Sequence, residues 1–267
     1  MTTTLAVLHL ADLFHDPRMI LPSRADWARI PAIVAGTHPT PRPPRLVVAE
    51  HMDPDALAWL AVEARHADHL VIDTEYVPGT GQLLVLGVGA RRGAEFSGIQ
   101  IMRWPTQPVW FQQTFAADLR EAVRAVPCLF QNAVADLPIL EQNCGIRYAD
   151  FHQIDDLMLL DAVMYSEMPH DLGFISSLRS PYPKGKHLPM EDPDYNWSDV
   201  CDTDADWTSL LAEAQKDPAA LEVYRSQSLR LIPIVMESNQ RGIRVAADRV
   251  RTASAEYTAK MADATRI

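Results

Sequence analysis

The stretch that decides the fold lies between residues 69 and 76 and has the sequence His69-Leu70-Val71-Ile72-Asp73-Thr74-Glu75-Tyr76. Its three apolar residues, two of them β-branched, predict a buried strand. Alternate residues of a strand point to the same side, so Asp73 and Glu75 would place two carboxylates next to each other. Two carboxylates at that spacing repel each other unless a cation lies between them or one of them is protonated. The stretch therefore predicts a divalent-metal site, although a strand that ends in a solvated acidic turn would have the same sequence.

The composition predicts a globular, acidic protein. Of 267 residues 48% are hydrophobic, which is sufficient for a core, and the formal net charge is −11. This charge argues against a broad basic surface for nucleic acid, but bound cations reverse the sign of an acidic site, so a nuclease is not excluded. Three scattered cysteines predict neither a disulfide framework nor a zinc site. Without a signal peptide or an apolar run of about 20 residues, we expect a soluble protein in a reducing compartment.

The order of elements along the chain predicts a mixed α/β sheet. Residues 1–44 contain seven prolines, which we expect to prevent long regular elements, and we interpret them as an arm or linker. The first strand is predicted at 45–50, and a helix should run from Asp53-Pro54, an N-cap and a first-position proline, to about residue 66. Strands at 83–88, 96–102 and 128–130, with a helix from Thr114 before the last of them, complete the alternation.

Two further stretches carry candidate ligands. A strand that ends near Asn132 and a helix that stops at Gly145 would place Asp136 at a helix start, where it can share a metal with Asp73. An ordinary helix-start carboxylate, favoured by the helix dipole, would look the same. Tyr195 and Asp199 are four residues apart, so on a helix they share one face. The alternative is a surface helix with a packed tyrosine and a solvated aspartate.

Together, Asp73-x-Glu75, Asn132-x-x-x-Asp136 and Tyr195-x-x-x-Asp199 resemble the motifs of the DEDDy class of proofreading 3′–5′ exonucleases. The resemblance covers about residues 45–215 and implies a ribonuclease H-like mixed sheet flanked by helices. A departure is Ala135, where relatives usually carry an aromatic residue.

The resemblance also implies roles for the motif residues, with two Mg²⁺ or Mn²⁺ ions held by four carboxylates. Asp73 would bridge both ions, Glu75 and Asp199 would hold the water-activating ion, and Asp136 would act on the leaving-group ion directly or through water. Tyr195 would position the attacking water. The candidates to contact the substrate are Asn132 and Tyr76 at the terminal nucleotide and His170, which could equally be a cap or packing residue. Asp156 is predicted to cap the helix that follows it.

The C-terminal part, residues 216–267, is predicted to be a helical extension. Residues 231–245 form an apolar helix stopped by Gly242 and followed by a short strand, and they are similar to the start of the polymerase region in phage-like family A DNA polymerases. Ala246 stands where an aspartate is usual. The resemblance implies proofreading of single-stranded or frayed DNA 3′ ends as part or partner of a DNA polymerase, in the cytoplasm of a bacterial or phage-infected cell and away from membranes. A ribonuclease D-like exoribonuclease and an idle module that binds nucleic acid or a polymerase remain alternatives.

Tyr224 and Ser228 repeat the spacing of Tyr195 and Asp199, but a serine stands where a carboxylate is required. We predict that Asp199→Ala removes most of the nuclease rate, whereas Ser228→Ala leaves the chemistry unchanged. Tyr195→Phe should cost less than Asp199→Ala, because a metal would still acidify the water. Cleavage rates on a labelled oligonucleotide measure all three. An inactive Ser228→Ala variant beside an active Asp199→Ala variant would show that the third motif is misassigned.

Overall fold

The chain is represented by a computed structural model that describes residues 20–49, 54–183, 188–189, 192–244 and 246–265. The chain divides into two units, one that ends at Ile232 and one that starts at Pro233. The first unit contains the sheet. Within the described part of the chain, no helix combines the length and apolarity needed to cross a lipid bilayer.

Among the described residues, six strands form one mixed sheet in the order β1-β4-β3-β2-β5-β6. The strands are β1 Arg45–Val48, β2 His69–Val77, β3 Gln82–Arg92, β4 Glu95–Ile101, β5 Cys128–Phe130 and β6 Ile154–Asp156. Strands β2, β3 and β4 form an antiparallel meander, and β1, β5 and β6 each join in parallel. The predicted mixed α/β sheet is therefore confirmed.

Strand β2 is central because its first half is apolar on both sides. Leu70, Val71 and Ile72 are each no more than 1% exposed. Such a run is typical of a strand covered by helices on both faces of a sheet. Its acidic second half is therefore attached directly to a rigid, buried part of the core.

Helices cover the sheet and connect its strands. In chain order they are α1 Ile20–Val34, α2 Pro54–Val62, α3 Val109–Ala125, α4 Ala133–Cys144, α5 Leu157–Met164, α6 Leu172–Arg179, α7 Pro193–Ala214, α8 Pro218–Val223, α9 Leu229–Arg241 and α10 Ala247–Ala264. The helix that matters most for the site is α7, which packs on β2 and β3. Its Trp197 is fully buried, and the indole Nε1 donates a hydrogen bond to the Pro43 carbonyl at 3.0 Å.

The structure corrects one expectation at the N-terminus and one helix start. Prolines do not prevent a long helix there, because α1 spans 15 residues with Pro22 in its first turn and Pro31 inside it. A proline in a first turn removes an N–H that has no partner within the helix. The helix predicted from Thr114 begins five residues earlier, at Val109. The predicted N-cap Asp53 lies outside the described residues, and α2 begins at Pro54.

The short strand predicted after Gly242 is not present in the described residues 243–244 and 246, and Val245 lies outside them. Gly242 ends α9 with a positive φ of 64°, as a helix-stopping glycine does. A strand needs a hydrogen-bonded neighbour, and the described residues of the second unit supply only α9 and α10.

Gly98 in β4 tests the packing of α7 on the sheet. A Cβ at this position would lie 2.4 Å from Trp197 Cη2 and 2.5 Å from the Val88 carbonyl oxygen. We predict that Gly98→Ala lowers the free energy of unfolding by about 1–3 kcal/mol, because neither the indole nor the backbone has space to move. Ser97→Ala, on the opposite side of the strand, is the control and should change it far less. Denaturant unfolding of the two variants measures this, and equal stabilities would contradict the packing described.

Candidate functional site

The two acids of β2 lie where its regular pairing with β3 ends. Asp73 stands opposite Gly87 and Glu75 opposite Val85, and the register then shifts between Glu75 and Tyr76. Asp73 and Glu75 are both partly exposed. The alternation of the strand therefore delivers two carboxylates to one side at an accessible end of the sheet.

Asp199 joins these acids from α7. One carboxylate oxygen from each of Asp73, Glu75 and Asp199 lies within 4.8 Å of the other two. Asp199 is only 5% exposed, and three carboxylates this close repel one another unless a cation or proton is shared. Carboxylate oxygens are the ligands that Mg²⁺ and Mn²⁺ prefer, so this donor set fits a divalent metal ion.

Tyr195 lies one helical turn before Asp199 on α7 and is partly exposed. The competing Tyr224 has a different environment. It is 1% exposed, its hydroxyl accepts a hydrogen bond from the Asp156 backbone N–H at 2.8 Å, and it donates to Asp155 Oδ1 at 3.1 Å. Burial raises the pKa of the Tyr224 phenol. These contacts give Tyr224 a structural role, whereas the role of Tyr195 at the site stays a prediction.

Asp136 lies in the first turn of α4, as predicted, but its carboxylate is bound to β2. Its Oδ1 accepts hydrogen bonds from the Thr74 backbone N–H at 3.0 Å and from the Thr74 hydroxyl at 2.6 Å. Burial raises the pKa of Asp136 to about 7, and the negative charge of Glu75 adds to the effect while the Thr74 hydrogen bonds oppose it. Asp136 is not in the three-residue group above, so its role as a metal ligand stays a prediction.

Asp156 connects the starts of two helices. Its carboxylate accepts from the Leu159 N–H at 3.0 Å, which confirms the predicted N-cap of α5. It also accepts from the backbone N–H groups of Asn132 and Ala133. Asn132 has a left-handed φ of 71°, a conformation that asparagine tolerates better than most residues. The α4 start, which carries Asp136, is thereby fixed.

Two of the predicted substrate-contacting residues line one pocket of about 630 Å³, together with parts of α5, the turn before α6 and the start of α6. Its lining residues are Gln131, Asn132, Met158, His170, Asp171, Leu172 and Gly173. The His170 ring is oriented by Asp161, since Nδ1 and the Asp161 Oδ2 are 2.8 Å apart. His170 is therefore both hydrogen bonded and part of a pocket wall. Tyr76, the third candidate, follows the register shift of β2 and is not among the lining residues.

Three polar residues near the acids were not predicted from the sequence. Thr74 donates to Asp136, and the fully buried Asn196 donates to Asp73 Oδ2 from Nδ2 at 2.6 Å. The buried Gln100 in turn donates to Asn196 Oδ1 at 3.2 Å. The sequence could have indicated Thr74, because it stands between two acids of the motif. It could not have indicated Gln100, because the proximity of Gln100 to the acids depends on how the strands pair.

No protein-family model and no curated protein sequence matches the chain. Solved structures do match its fold. A nuclease solved in its apo form has a TM-score of 0.54 and 15% identity, with 74% of this chain and 94% of that one covered. RNase D of Escherichia coli has a TM-score of 0.48 and 18% identity, and the match covers 73% of this chain and 51% of that one. Brucella melitensis NrnC with bound Mg²⁺ has a TM-score of 0.49 and 14% identity, and the match covers 75% of this chain and 94% of that one.

The chain thus spans about half the length of the RNase D chain. RNase D is described as an exoribonuclease involved in structured RNA processing. The chain has the ribonuclease H-like fold that the motifs predicted, and it shares this fold with the nuclease solved in its apo form. The similarity concerns the fold alone, and the chemistry depends on the carboxylate cluster.

The raised pKa of Asp136 predicts a pH dependence of stability in the metal-free protein. As pH rises from about 4 to about 7, the unfolded chain loses this proton while the folded chain retains it, so wild-type stability falls. An asparagine cannot ionise and still accepts from Thr74. We therefore predict that Asp136→Asn becomes more stable relative to wild type across this range, with no further gain above it. The gain is limited to a few kcal/mol, since one pKa unit corresponds to about 1.4 kcal/mol.

Chemical denaturation in chelator at several pH values measures this difference. A difference that stays constant or shrinks as pH rises would contradict the assignment of a raised pKa to Asp136.

Proposed function

We propose that the chain is a metal-dependent 3′–5′ exonuclease that removes nucleotides from single-stranded or frayed DNA 3′ ends. The observation that carries the proposal is the group of Asp73, Glu75 and Asp199, whose carboxylate oxygens lie within 4.8 Å of one another. An exonuclease fold supports it. A binding module has no physical need for three repelling carboxylates at one point.

Each part of the site has a role in this proposal. Asp73, Glu75 and Asp199 would hold divalent ions, which would supply charge neutralisation at the phosphate and an acidified water, and Asp136 would act on the leaving-group side. Tyr195 orients the water, which a phenol can do without acting as a base at pH 7.

The pocket beside the α4 start is proposed to hold the terminal nucleotide. It lies at the carboxyl end of β5, which pairs in parallel with β2, so pocket and acids lie at the same end of the sheet. Asn132 and His170 supply polar groups, and Met158 and Leu172 supply apolar surface for a base or sugar. Tyr76 remains a proposed contact on the β2 side.

We propose DNA rather than RNA as the substrate because residues 231–245 resemble the start of a family A polymerase region. In this proposal, residues 1–44 are an arm, 45–215 the nuclease and 216–267 an extension that leads to, or binds, a polymerase. A 3′–5′ exoribonuclease is the second candidate, because the amides of Gln131 and Asn132 line the pocket and amides can hydrogen bond a 2′-hydroxyl.

The direct test uses matched DNA and RNA oligonucleotides labelled at the 5′ end, with Mg²⁺, with Mn²⁺ and with EDTA. We predict a ladder of products shortened stepwise from the 3′ end, its complete loss in EDTA, and faster cleavage of DNA. Asp118→Ala, which removes an acid from α3, is the control for Asp73→Ala and should remain active. Label released first as a short 5′ product, or full activity in EDTA, would overturn the proposal, and faster cleavage of RNA would select the second candidate.

Substrate form gives a further prediction. A chain with a net charge of −11 has little basic surface with which to open a duplex, so unpaired ends should be cleaved first. We predict faster removal of a mismatched 3′ nucleotide than of a paired one, and faster digestion of single strands than of blunt duplex. Rates measured at matched salt and metal check this. Equal rates on single strands and blunt duplex would contradict it.

A further inference from the structure

A row of three residues crosses the sheet beside the site. Asp73 of β2 stands opposite Gly87 of β3, and Gly87 stands opposite Gln100 of β4. Residues paired in this way point to the same face of a sheet. The glycine therefore leaves a gap between the Asp73 carboxylate and the Gln100 amide.

Asn196 of α7 fills this gap. A Cβ at position 87 would lie 2.3 Å from Asn196 Oδ1, so the amide occupies the space that any larger residue would take. Asn196 Nδ2 donates to Asp73 Oδ2 at 2.6 Å and to the Asp73 carbonyl at 3.3 Å. Its Oδ1 accepts from Gln100 Nε2 at 3.2 Å. Both amide side chains are 0% exposed, so they have no water with which to exchange these bonds.

The direction of these hydrogen bonds is set at their far end. Arg45 Nε donates to Gln100 Oε1 at 3.0 Å, and a guanidinium can only donate. Gln100 must therefore turn its oxygen to Arg45 and its NH₂ to Asn196. Asn196 must in turn present its NH₂ to Asp73. An Arg45–Gln100–Asn196 chain thus ensures that a donor, never an acceptor, meets the carboxylate.

We propose that Asn196 is a positioning residue that holds the Asp73 carboxylate in the orientation needed to bind metal, and that Arg45 and Gln100 fix the polarity of its amide. The inference rests on the proposed function insofar as Asp73 is taken as a metal ligand. A residue that orients a metal ligand changes metal affinity or activity by about 10–100-fold when it is lost.

The test measures Mn²⁺ binding to the full chain by calorimetry, without nucleic acid, so that the readout does not depend on cleavage. Asn196→Leu should weaken Mn²⁺ binding about tenfold or more. Gln100→Glu keeps the acceptor for Arg45 but replaces the donor to Asn196, which then turns its NH₂ away from Asp73. We expect it to weaken binding as strongly, although an added negative charge would by itself strengthen cation binding. Gln100→Met, which leaves the Asn196 amide free to keep its NH₂ on Asp73, should weaken binding less.

Gln107→Met is the matched control, since Gln107 is also buried and donates to the Met102 carbonyl at 2.9 Å away from the acids. It should bind Mn²⁺ as wild type does. The Gln100→Glu, Asn196→Leu double variant should bind no more weakly than Asn196→Leu alone, because the two residues act through one contact. If Asn196→Leu does not fold, as judged by circular dichroism, the comparison of Gln100→Glu with Gln100→Met decides.

The outcomes separate this inference from the proposed function. If wild type binds Mn²⁺ but cleaves neither DNA nor RNA, the proposed function fails, while the order of Mn²⁺ affinities still supports or overturns the positioning role. If wild type cleaves and every variant binds Mn²⁺ equally, the positioning role is wrong and the function stands. Equal effects of Gln100→Glu and Gln100→Met would show a packing role only. A wild-type chain that binds no Mn²⁺ would overturn both.

Discussion

The mutual repulsion of three carboxylates within 4.8 Å is the constraint on which the rest of the structure depends. Such a group persists only if each acid is attached to an element that cannot relax away from the others. Asp73 and Glu75 lie on the central strand of the sheet, which is buried before them. Asp199 lies on α7, so its position depends on how firmly that helix packs against the sheet.

Buried polar contacts fix α7 along its length. Asp204 is 0% exposed and pairs with His69 and Arg91 at the start and end of two strands. Two residues to either side of it, Asp202 accepts from the Ser180 hydroxyl and Asp206 from the Ser176 hydroxyl, and these serines lie on α6 and directly after it. Because a buried carboxylate without a donor is costly, each bond selects one rotation of the helix. The same rotation turns Asp199 and Asn196 toward β2.

The sequence was sufficient for the parts of the site that depend on local spacing. Alternation on β2 predicted that Asp73 and Glu75 share a side, and the four-residue spacing predicted the shared helix face of Tyr195 and Asp199. The parts of the site that depend on the pairing register of the strands could not be predicted. That Gln100 stands in line with Asp73 follows from two strand pairings and a register that no local pattern encodes. The α1 helix was missed because a count of prolines ignores their positions: Pro22 lies in the first turn, where its missing N–H has no partner, and the helix tolerates Pro31 inside it.

Burial also changes what the net charge means for a substrate. The formal value of −11 counts every acid as ionised. Burial is the largest cause that raises the pKa of Asp136, Asp156, Asp161 and Asp206, and for Asp136 the value reaches about 7. Each of these groups that keeps its proton near neutrality removes one negative charge, and cations at the carboxylate cluster remove more. Under the proposed function, a nucleic acid end would therefore meet less repulsion than the formal charge indicates, yet it would gain no additional Lys or Arg contacts, so its binding would have to come from the site itself.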